Sequence, residues 1–212
     1  MHFTAQRLRF APEPPDDDDE GQDLPRPMLL KQQARRAAGI REAKDTLAQL
    51  PGPGESLHAV MTARLDMTDV VNALLEKLGR CEKAMIATLG FNRRNYKMML
   101  HWLDSGAIGS IALIGSLFFK AHNPELAGEV IEEFRARGHR AAFCPCHCKC
   151  MSLTFANGVK MAIEGSANLC SNGSAREQFC LVNDAGLCDW HARWIDALVS
   201  KHAGKESHER AS

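Results

Sequence analysis

The chain is 212 residues long, 45% of its residues are hydrophobic, and its formal net charge at pH 7 is zero. This length suffices for one sizeable core but not for two ordinary domains with linkers, so one domain with extensions is expected. Zero net charge argues against purely electrostatic wrapping of nucleic acid. No stretch approaches the roughly 18 uninterrupted apolar residues of a membrane span, and the N-terminus lacks an apolar signal core. A soluble, cytoplasmic protein without membrane contact is therefore predicted.

Residues 1–55 differ in composition from the rest and are predicted to form an N-terminal extension. The run Pro12–Glu20 is acidic and rich in proline, so it cannot bury enough apolar surface to offset its ordering entropy, and disorder is expected. Residues 28–50 mix apolar and basic side chains with helix-like spacing, as in a surface helix or in an arm that contacts DNA or a partner. The folded domain is expected to span 56–203, followed by a flexible tail at 204–212.

Hydrophobic periodicity predicts alternating helices and strands within that domain. In chain order they are a helix at 70–78, a strand at 84–89, a helix at 96–103, a strand at 111–119, a helix at 124–137, a strand at 141–144, a hairpin, a strand at 179–182 and a helix at 185–199. In the last helix, Leu187, Trp190, Trp194 and Leu198 are expected to share the buried face. The alternation predicts an α/β fold with a mixed, largely parallel sheet flanked by helices.

The most informative feature of the chain is a set of residues suited to attacking and binding a phosphodiester. They are His147, Lys149, Gly165, Ser166, Asn168 and Glu177. A histidine and a lysine two apart on an extended segment point to one face, so imidazole and ammonium can converge on one phosphate. Glycine allows close approach of the backbone to that phosphate, and the hydroxyl and amide can donate to its oxygens. The glutamate can orient a histidine, so phosphoryl transfer without a metal is predicted.

These residues resemble half of the phospholipase D superfamily signature, His-x-Lys-x4-Asp followed by Gly-Ser-x-Asn, as found in single-motif, nuclease-like members from bacteria and phages. The resemblance covers about residues 80–200 and implies the fold of one phospholipase D-like lobe. Thr154 stands where the family usually has aspartate, and the gap from there to Gly165 is longer than in the common pattern. Asn157-Gly158 lies in that gap and predicts a longer β-hairpin.

The resemblance implies that His147 attacks phosphorus to form a phosphohistidine, while the histidine of a second motif protonates the leaving oxygen. The sequence holds no second His-x-Lys, so a two-fold homodimer is expected to supply it. Lys149 and Asn168 would bind the phosphate with help from Ser166, and Glu177 would orient His147 of the same or the facing chain. No cofactor and no metal ligand is assigned. Histidines outside the motif are interpreted as surface or core residues: His101, His122, His139 and His191.

The predicted function is therefore a metal-independent phosphodiesterase, and a nuclease is favoured because single-motif members of the superfamily are mostly nucleases. DNA is the favoured substrate, and lipid hydrolysis is the weaker enzymatic alternative. Thr154 leaves open a catalytically inactive DNA-binding protein of a phage or mobile element. A cysteine-rich metal-binding protein is the third interpretation.

That third interpretation arises because the chain has eight cysteines, of which four alternate around the motif: Cys144, Cys146, Cys148 and Cys150. On an extended segment these thiols would share the face behind the active site, where they suit packing against a helix. Neighbours on one face of a strand lie roughly 7 Å apart, so only adjacent pairs could reach a common zinc ion unless the strand breaks. Thiols elsewhere could complete such a site: Cys170, Cys180 and Cys188. Redox sensing is another possibility, and disulfides are not expected in a reducing compartment.

Overall fold

A computed structural model describes residues 37–61, 65–169 and 176–203 of the protein. In chain order its elements are α1 (37–46), β1 (Ser56–Met61), α2 (Met67–Leu78), β2 (Cys81–Ala87), α3 (Arg93–Asp104), β3 (Ile111–Ser116), α4 (Leu117–His122), α5 (Pro124–Ala136), β4 (Arg140–Cys144), β5 (Cys150–Phe155), β6 (Lys160–Gly165), β7 (Glu177–Val182) and α6 (Ala185–Ala203). The helices and strands predicted for the domain are all present. Strand β1 and helix α4 were not predicted.

Seven strands form one mixed sheet in the order β1-β7-β6-β5-β2-β3-β4. Parallel pairing joins β2 to β3 and β3 to β4, whereas the other described neighbours are antiparallel. Successive residues of β2 face opposite sides, so Ala84 and Ile86 lie in the main core with α2, α3 and α5, while Met85 and Ala87 lie in a second core under α6. The predicted α/β class with a mixed sheet flanked by helices is confirmed, but the sheet is not largely parallel, because four of its six described strand pairings are antiparallel.

A serine cap separates β3 from α4, where the sequence predicted one long strand. The Ser116 hydroxyl accepts a hydrogen bond from the backbone N–H of Phe119 at 2.9 Å and so caps the helix. The predicted strand at 111–119 is therefore too long, because its last residues form the first turn of α4. The chain thus turns at the carboxyl end of β3 instead of continuing as a strand.

The predicted Asn157-Gly158 hairpin joins β5 to β6. Gly158 has a φ of 84°, in the left-handed region that glycine adopts without strain. The Asn157 side chain accepts a hydrogen bond from the Val159 N–H at 3.1 Å, and the Phe155 N–H donates to the Val159 carbonyl at 2.9 Å. The longer gap in the motif is thus accommodated by an ordinary hairpin.

The predicted buried face of the last helix is wrong by one position. The fully buried residues of α6 are Cys188, His191, Ile195 and Val199, whereas Trp190 is 53% exposed. The prediction placed the large indole groups of Trp190 and Trp194 on the buried face. In the structure the next residues, His191 and Ile195, are buried instead. A histidine therefore occupies a core position on this helix.

Helix α1 corrects the predicted domain boundary. Ala43 and Leu47 are 1% and 0% exposed and belong to the main core, and Lys44 lies 2.8 Å from Glu76 of α2. Residues 37–55 are therefore part of the folded domain, not of a disordered extension. The predicted disorder at Pro12–Glu20 and the predicted tail at 204–212 lie outside the described residues.

Within the described ranges, no helix combines the length and the apolar character that a bilayer crossing requires.

Candidate active site

The His-x-Lys segment connects β4 to β5 across the carboxyl ends of two other strands. Strands β3 and β2 lie between β4 and β5 in the sheet, so the connection spans three strand spacings, about 14 Å. The Cα atoms of Cys144 and Cys150 can be at most about 20 Å apart along the chain, so residues 145–149 must cross almost directly. Because Cys144 pairs with Ser116 and Cys150 with Ala87, His147 lies above the ends of β2 and β3.

His147 and Lys149 lie side by side within this crossing segment. The Lys149 ammonium donates to the His147 carbonyl at 3.0 Å, and its Nζ lies 3.4 Å from His147 Nδ1. The imidazole is exposed, whereas Lys149 is half-buried. Since an ammonium can only donate, Nδ1 acts as the acceptor in this contact, which leaves the hydrogen of a neutral ring on Nε2.

Lys149 also marks where the crossing segment meets the Gly-Ser-x-Asn segment. The Gly165 N–H donates to the Lys149 carbonyl at 3.2 Å, which continues the β5–β6 ladder by one bond. Lys149 and Gly165 line a small pocket together with Thr88, Ala167, Met67 and Leu169. The two halves of the motif are thus adjacent in space.

Ser166 is held between two neighbours on β7. The Gln178 N–H donates to the Ser166 hydroxyl oxygen at 3.0 Å, and the Ser166 hydroxyl donates to the Glu177 carboxylate. The single hydrogen of that hydroxyl is therefore used by Glu177 in this arrangement. The sequence predicted Ser166 as a donor to phosphate, but in the structure it holds Glu177.

Gly165 is required by the packing of β7. A Cβ atom at this position would lie 2.2 Å from the Gln178 carbonyl oxygen and 2.9 Å from the Phe179 Cα. Both contacts are far inside van der Waals distance and involve backbone that cannot rotate away. Close approach of the neighbouring strand is thus a second reason for this glycine, and close approach of its backbone to a phosphate stays a prediction.

Asn168 lies between two residues that line the pocket, Ala167 and Leu169, and carries an unused hydrogen-bonding group. Its Oδ1 atom is buried without a hydrogen-bond partner among the described residues. The next residue is fixed by the Leu169 N–H, which donates to Thr88 Oγ1 at 3.4 Å, and by a bridge between Leu169 and Phe91. An amide oxygen only accepts, so the group of Asn168 that can donate to a phosphate oxygen is its Nδ2 amide and not this Oδ1.

Thr88 was missed in the sequence, although it belongs to this pocket. Its hydroxyl donates to the Gly90 carbonyl at 2.9 Å while it accepts from Leu169. The threonine therefore ties the segment after β2 to the Gly-Ser-x-Asn segment. The available signal was the position of Thr88 near the end of the apolar run predicted as a strand. Its partner, Leu169, is distant in sequence, so the contact could not be predicted.

Thr154 lies far from the pocket. It pairs with Lys160 and Lys83 at the opposite end of β5 from Lys149, a distance of about 16 Å at 3.3 Å per residue. The position where the family usually has aspartate is therefore remote from His147. Threonine at this position removes no group from the candidate site.

The four alternating cysteines do not lie on one continuous strand. Strand β4 ends at Cys144, and Pro145, which has no N–H for a sheet, follows directly. Cys144 and Cys150 are buried in the second core under α6, Cys146 is half-buried against it, and Cys148 is exposed. The prediction of a common face behind the site holds for the buried pair and fails for Cys148.

These thiols are free and mostly resist ionisation. Burial raises the pKa of Cys150 to about 12 and that of Cys146 to about 11, because a thiolate loses its hydration there. The seven cysteines within the described residues form no disulfide. In the same residues, no group of three or more His, Cys, Asp or Glu side chains is placed to hold a metal ion.

A mixed sheet that presents a His-x-Lys crossing segment and a Gly-Ser-x-Asn segment at one edge has the architecture of a phospholipase D-like lobe. Among solved structures, NucT from Helicobacter pylori is similar with a TM-score of 0.51 and 14% identity, over 69% of this chain and 97% of that chain. Polyphosphate kinase from Porphyromonas gingivalis has a TM-score of 0.51 and 12% identity, over 75% of this chain but only 29% of that chain.

The phospholipase D family member Nuc from Salmonella typhimurium has a TM-score of 0.48 and 12% identity, over 68% of this chain and 93% of that chain. At 14% and 12% identity, the two structures with a TM-score of 0.51 show a shared fold and nothing finer. No family model matches the sequence, and no curated protein matches it. The activity must therefore be argued from the residues of the site.

Proposed function

We propose that this protein is a metal-independent phosphodiesterase that cleaves nucleic acid, with DNA the favoured substrate, through a phosphohistidine on His147. The observation that supports this proposal is the meeting of the two motif segments at one sheet edge. Lys149 lies beside His147, and its carbonyl accepts a hydrogen bond from the Gly165 N–H. The Ser166 hydroxyl donates a hydrogen bond to Glu177. A nucleophile, a cation and a carboxylate are thereby carried on segments that meet at one edge of the sheet.

The contact between His147 and Lys149 sets the order of events. An attacking Nε2 must carry a lone pair, so the ring hydrogen has to be on Nδ1. The ammonium 3.4 Å from Nδ1 favours the opposite tautomer. A bound phosphate attracts the ammonium, which releases Nδ1 to carry the hydrogen. Substrate binding by Lys149 therefore prepares His147 for attack.

In the proposed reaction, Nε2 of His147 forms a bond to phosphorus while the ester bond to the leaving oxygen breaks. The histidine of the second subunit gives that oxygen its proton, and water then breaks the bond between nitrogen and phosphorus. Asn168 and Lys149 bind the phosphate oxygens. Ser166 acts as a positioning residue for Glu177, and Glu177 holds the imidazole of the same or the facing chain.

A homodimer is part of the proposal because the chain has one His-x-Lys segment. His147 is exposed at the sheet edge, so a two-fold axis beside this edge can bring two such segments to one phosphate. The dimer would then share one cleft. Light scattering on the purified protein gives the molar mass directly, and a fully active monomer would exclude this arrangement.

The decisive experiment is a cleavage assay on purified full-length protein with single- and double-stranded DNA and RNA, with and without a chelator. Cleavage is expected to survive chelation and to fall by about a thousandfold or more in His147→Ala. The matched control is His101→Ala, since His101 is an exposed histidine on α3. Acid-labile, base-stable phosphate on the quenched wild-type protein identifies the intermediate.

Two results would contradict the proposal. Undiminished cleavage by His147→Ala would show that His147 is not the nucleophile. Cleavage that vanishes with chelator and returns with a divalent ion would show that the mechanism depends on a metal. Binding of DNA without any cleavage would instead indicate an inactive DNA-binding protein. Nothing at the site favours that alternative, since Thr154 is remote from His147.

A further inference from the structure

Helix α4 exposes a phenylalanine close to the candidate site. Phe118 is 59% exposed, whereas its neighbour Phe119 is buried. Leu117, Ala121 and His122 are exposed with it, so these residues form the outer face of the helix. An aromatic ring left in solvent on an anchored helix is available to bind an apolar surface.

The ring of Phe118 is held in place by its own helix. His122 lies against it with the ring centroids 4.1 Å apart. His122 Nδ1 is 2.8 Å from the Phe118 carbonyl, and since a carbonyl only accepts, Nδ1 carries the hydrogen. One side of the phenyl ring is thus backed by an imidazole in a fixed orientation.

Helix α4 itself is anchored to the core at the same edge of the sheet. Phe119 packs on Phe91 with a centroid distance of 4.3 Å, and Phe91 forms a bridge with Leu169, the residue after Asn168. The helix starts directly after Ser116, whose strand partner is Cys144 at the start of the crossing segment. Helix α4 and the segment that carries His147 therefore both begin at the carboxyl ends of two paired strands, β3 and β4.

We propose that Phe118, backed by His122, is a stacking platform for an unpaired base of a single-stranded nucleic acid whose phosphate lies at His147 and Lys149. The inference rests on the proposed function and names its substrate class. Bases in a duplex are covered by their neighbours, whereas an unpaired base has a free face for an aromatic ring. Helix α4 carries Lys120 and His122 and no carboxylate, which suits a polyanionic strand.

The test is equilibrium binding to the full-length protein in the His147→Ala background, which holds substrate without cleaving it. A fluorescein-labelled oligodeoxynucleotide is titrated by anisotropy as a single strand and as a blunt duplex. Phe118→Leu keeps an apolar side chain but removes the ring, and Phe118→Trp keeps a ring. Leu117→Ala is the matched control, because Leu117 is an exposed apolar neighbour without a ring.

Phe118→Leu is expected to weaken single-strand binding by about fivefold to hundredfold, as for loss of one stacked base. Phe118→Trp is expected to retain affinity, and Leu117→Ala to change it by less than about twofold. The duplex is expected to bind more weakly than the single strand and to be insensitive to Phe118.

Three results would overturn the inference. They are an unchanged single-strand affinity in Phe118→Leu, the absence of single-strand binding, and equal affinities for the single strand and the duplex. A drop in molar mass for Phe118→Leu would also overturn it, because the ring would then belong to a subunit interface. The proposed function is tested separately by measuring whether the wild-type protein hydrolyses bis(p-nitrophenyl) phosphate, a diester without bases. A protein that cleaves this diester but fails the binding test keeps the proposed function and loses the platform.

Discussion

The imidazole of His191 on α6 lies 2.8 Å from the carboxylate of Glu164, the residue that precedes Gly165. Trp194 Nε1 donates to His191 Nδ1 at 3.1 Å, so Nδ1 accepts and Nε2 donates to Glu164. His191 is only 4% exposed. The helix on one face of the sheet therefore fixes the strand end that leads into the Gly-Ser-x-Asn segment on the edge.

Replacing this histidine is expected to destabilise the protein. In His191→Phe the volume is largely kept, but Trp194 loses its acceptor and the half-exposed Glu164 loses its donor, so the free energy of unfolding is expected to fall by about 1 kcal/mol. Urea denaturation followed by circular dichroism measures the change. His101→Phe, at an exposed position, serves as the control and is expected to stay within about 0.5 kcal/mol. Equal midpoints for both variants would show that the contact contributes nothing to stability.

Gly165→Ala is expected to displace β7, since the new Cβ would meet the Gln178 carbonyl at 2.2 Å. Overpacking of this kind costs about 1–3 kcal/mol, and the bond between Ser166 and Glu177 should be lost with the register. Thermal melting and the cleavage assay are the two measurements. Gly186→Ala near the start of α6 is the milder comparison: its Cβ would lie 3.2 Å from the Asp184 Oδ1 atom, a side-chain atom that can shift, so a smaller loss of stability is expected than in Gly165→Ala. A Gly165→Ala protein as stable and active as wild type would show that the strands can separate at no cost.

Helix α1 and Leu47, the residue that follows it, are expected to contribute to stability although they precede the predicted boundary. Leu47→Ala removes a side chain that is 0% exposed, and such substitutions cost about 2–5 kcal/mol. Leu117→Ala removes an exposed leucine and provides the matched comparison. Chemical denaturation of both variants distinguishes a docked helix from a dispensable arm, and equal stabilities would support the arm.

Alkaline pH is expected to destabilise the protein through its buried thiols. Burial raises the pKa of Cys150 from 9.0 to about 12, so the folded state favours the neutral thiol. The contribution of this group to stability is complete below pH 9 and is lost as the pH rises toward 12. Denaturation midpoints between pH 8 and 11 test this, and Cys150→Ala should flatten the dependence. Iodoacetamide at pH 8 should modify exposed Cys148 in the native protein and Cys150 only after unfolding.

A mixed dimer tests the shared site. One subunit carries His147→Ala and a second affinity tag, and the heterodimer is isolated by sequential purification. Because the proposed shared cleft needs both imidazoles, the activity of the heterodimer should fall far below half that of wild type. Half activity would mean that each subunit works alone.

The alternation of strands and helices could be predicted from the sequence, but the edge strand β1 could not. In β1, Leu57, Ala59 and Met61 point inward, while Val60 on the outer face is 68% exposed. An apolar outward residue obscures the period of two on which a strand prediction depends. Ser116, which ends β3, is a residue type that often caps helices. The apolar residues that follow it continue the pattern of a strand, so the sequence did not indicate that a helix begins there.

The members of the candidate site were recognisable from their order, whereas their contacts were not. Ser166 and Glu177 meet because β6 and β7 are paired, and the hydrogen of one hydroxyl can serve only one acceptor at a time. The role of Gly165 likewise depends on how closely β7 approaches. Such facts follow from strand register, which short-range sequence patterns do not specify.

The pairing of β1 with β7 has a consequence for how the protein folds. The first strand of the sheet can form its ladder only with the last one, Ser56 opposite Val182, so the loop that this pairing closes contains nearly the whole domain. Closing a long loop is slow compared with forming the local β-α-β units. A nascent chain can thus assemble β2, β3 and β4 during synthesis, but Glu177 joins Ser166 only once β7 has emerged. The candidate site is therefore completed at the end of folding, and an incomplete chain carries His147 without the pair formed by Ser166 and Glu177.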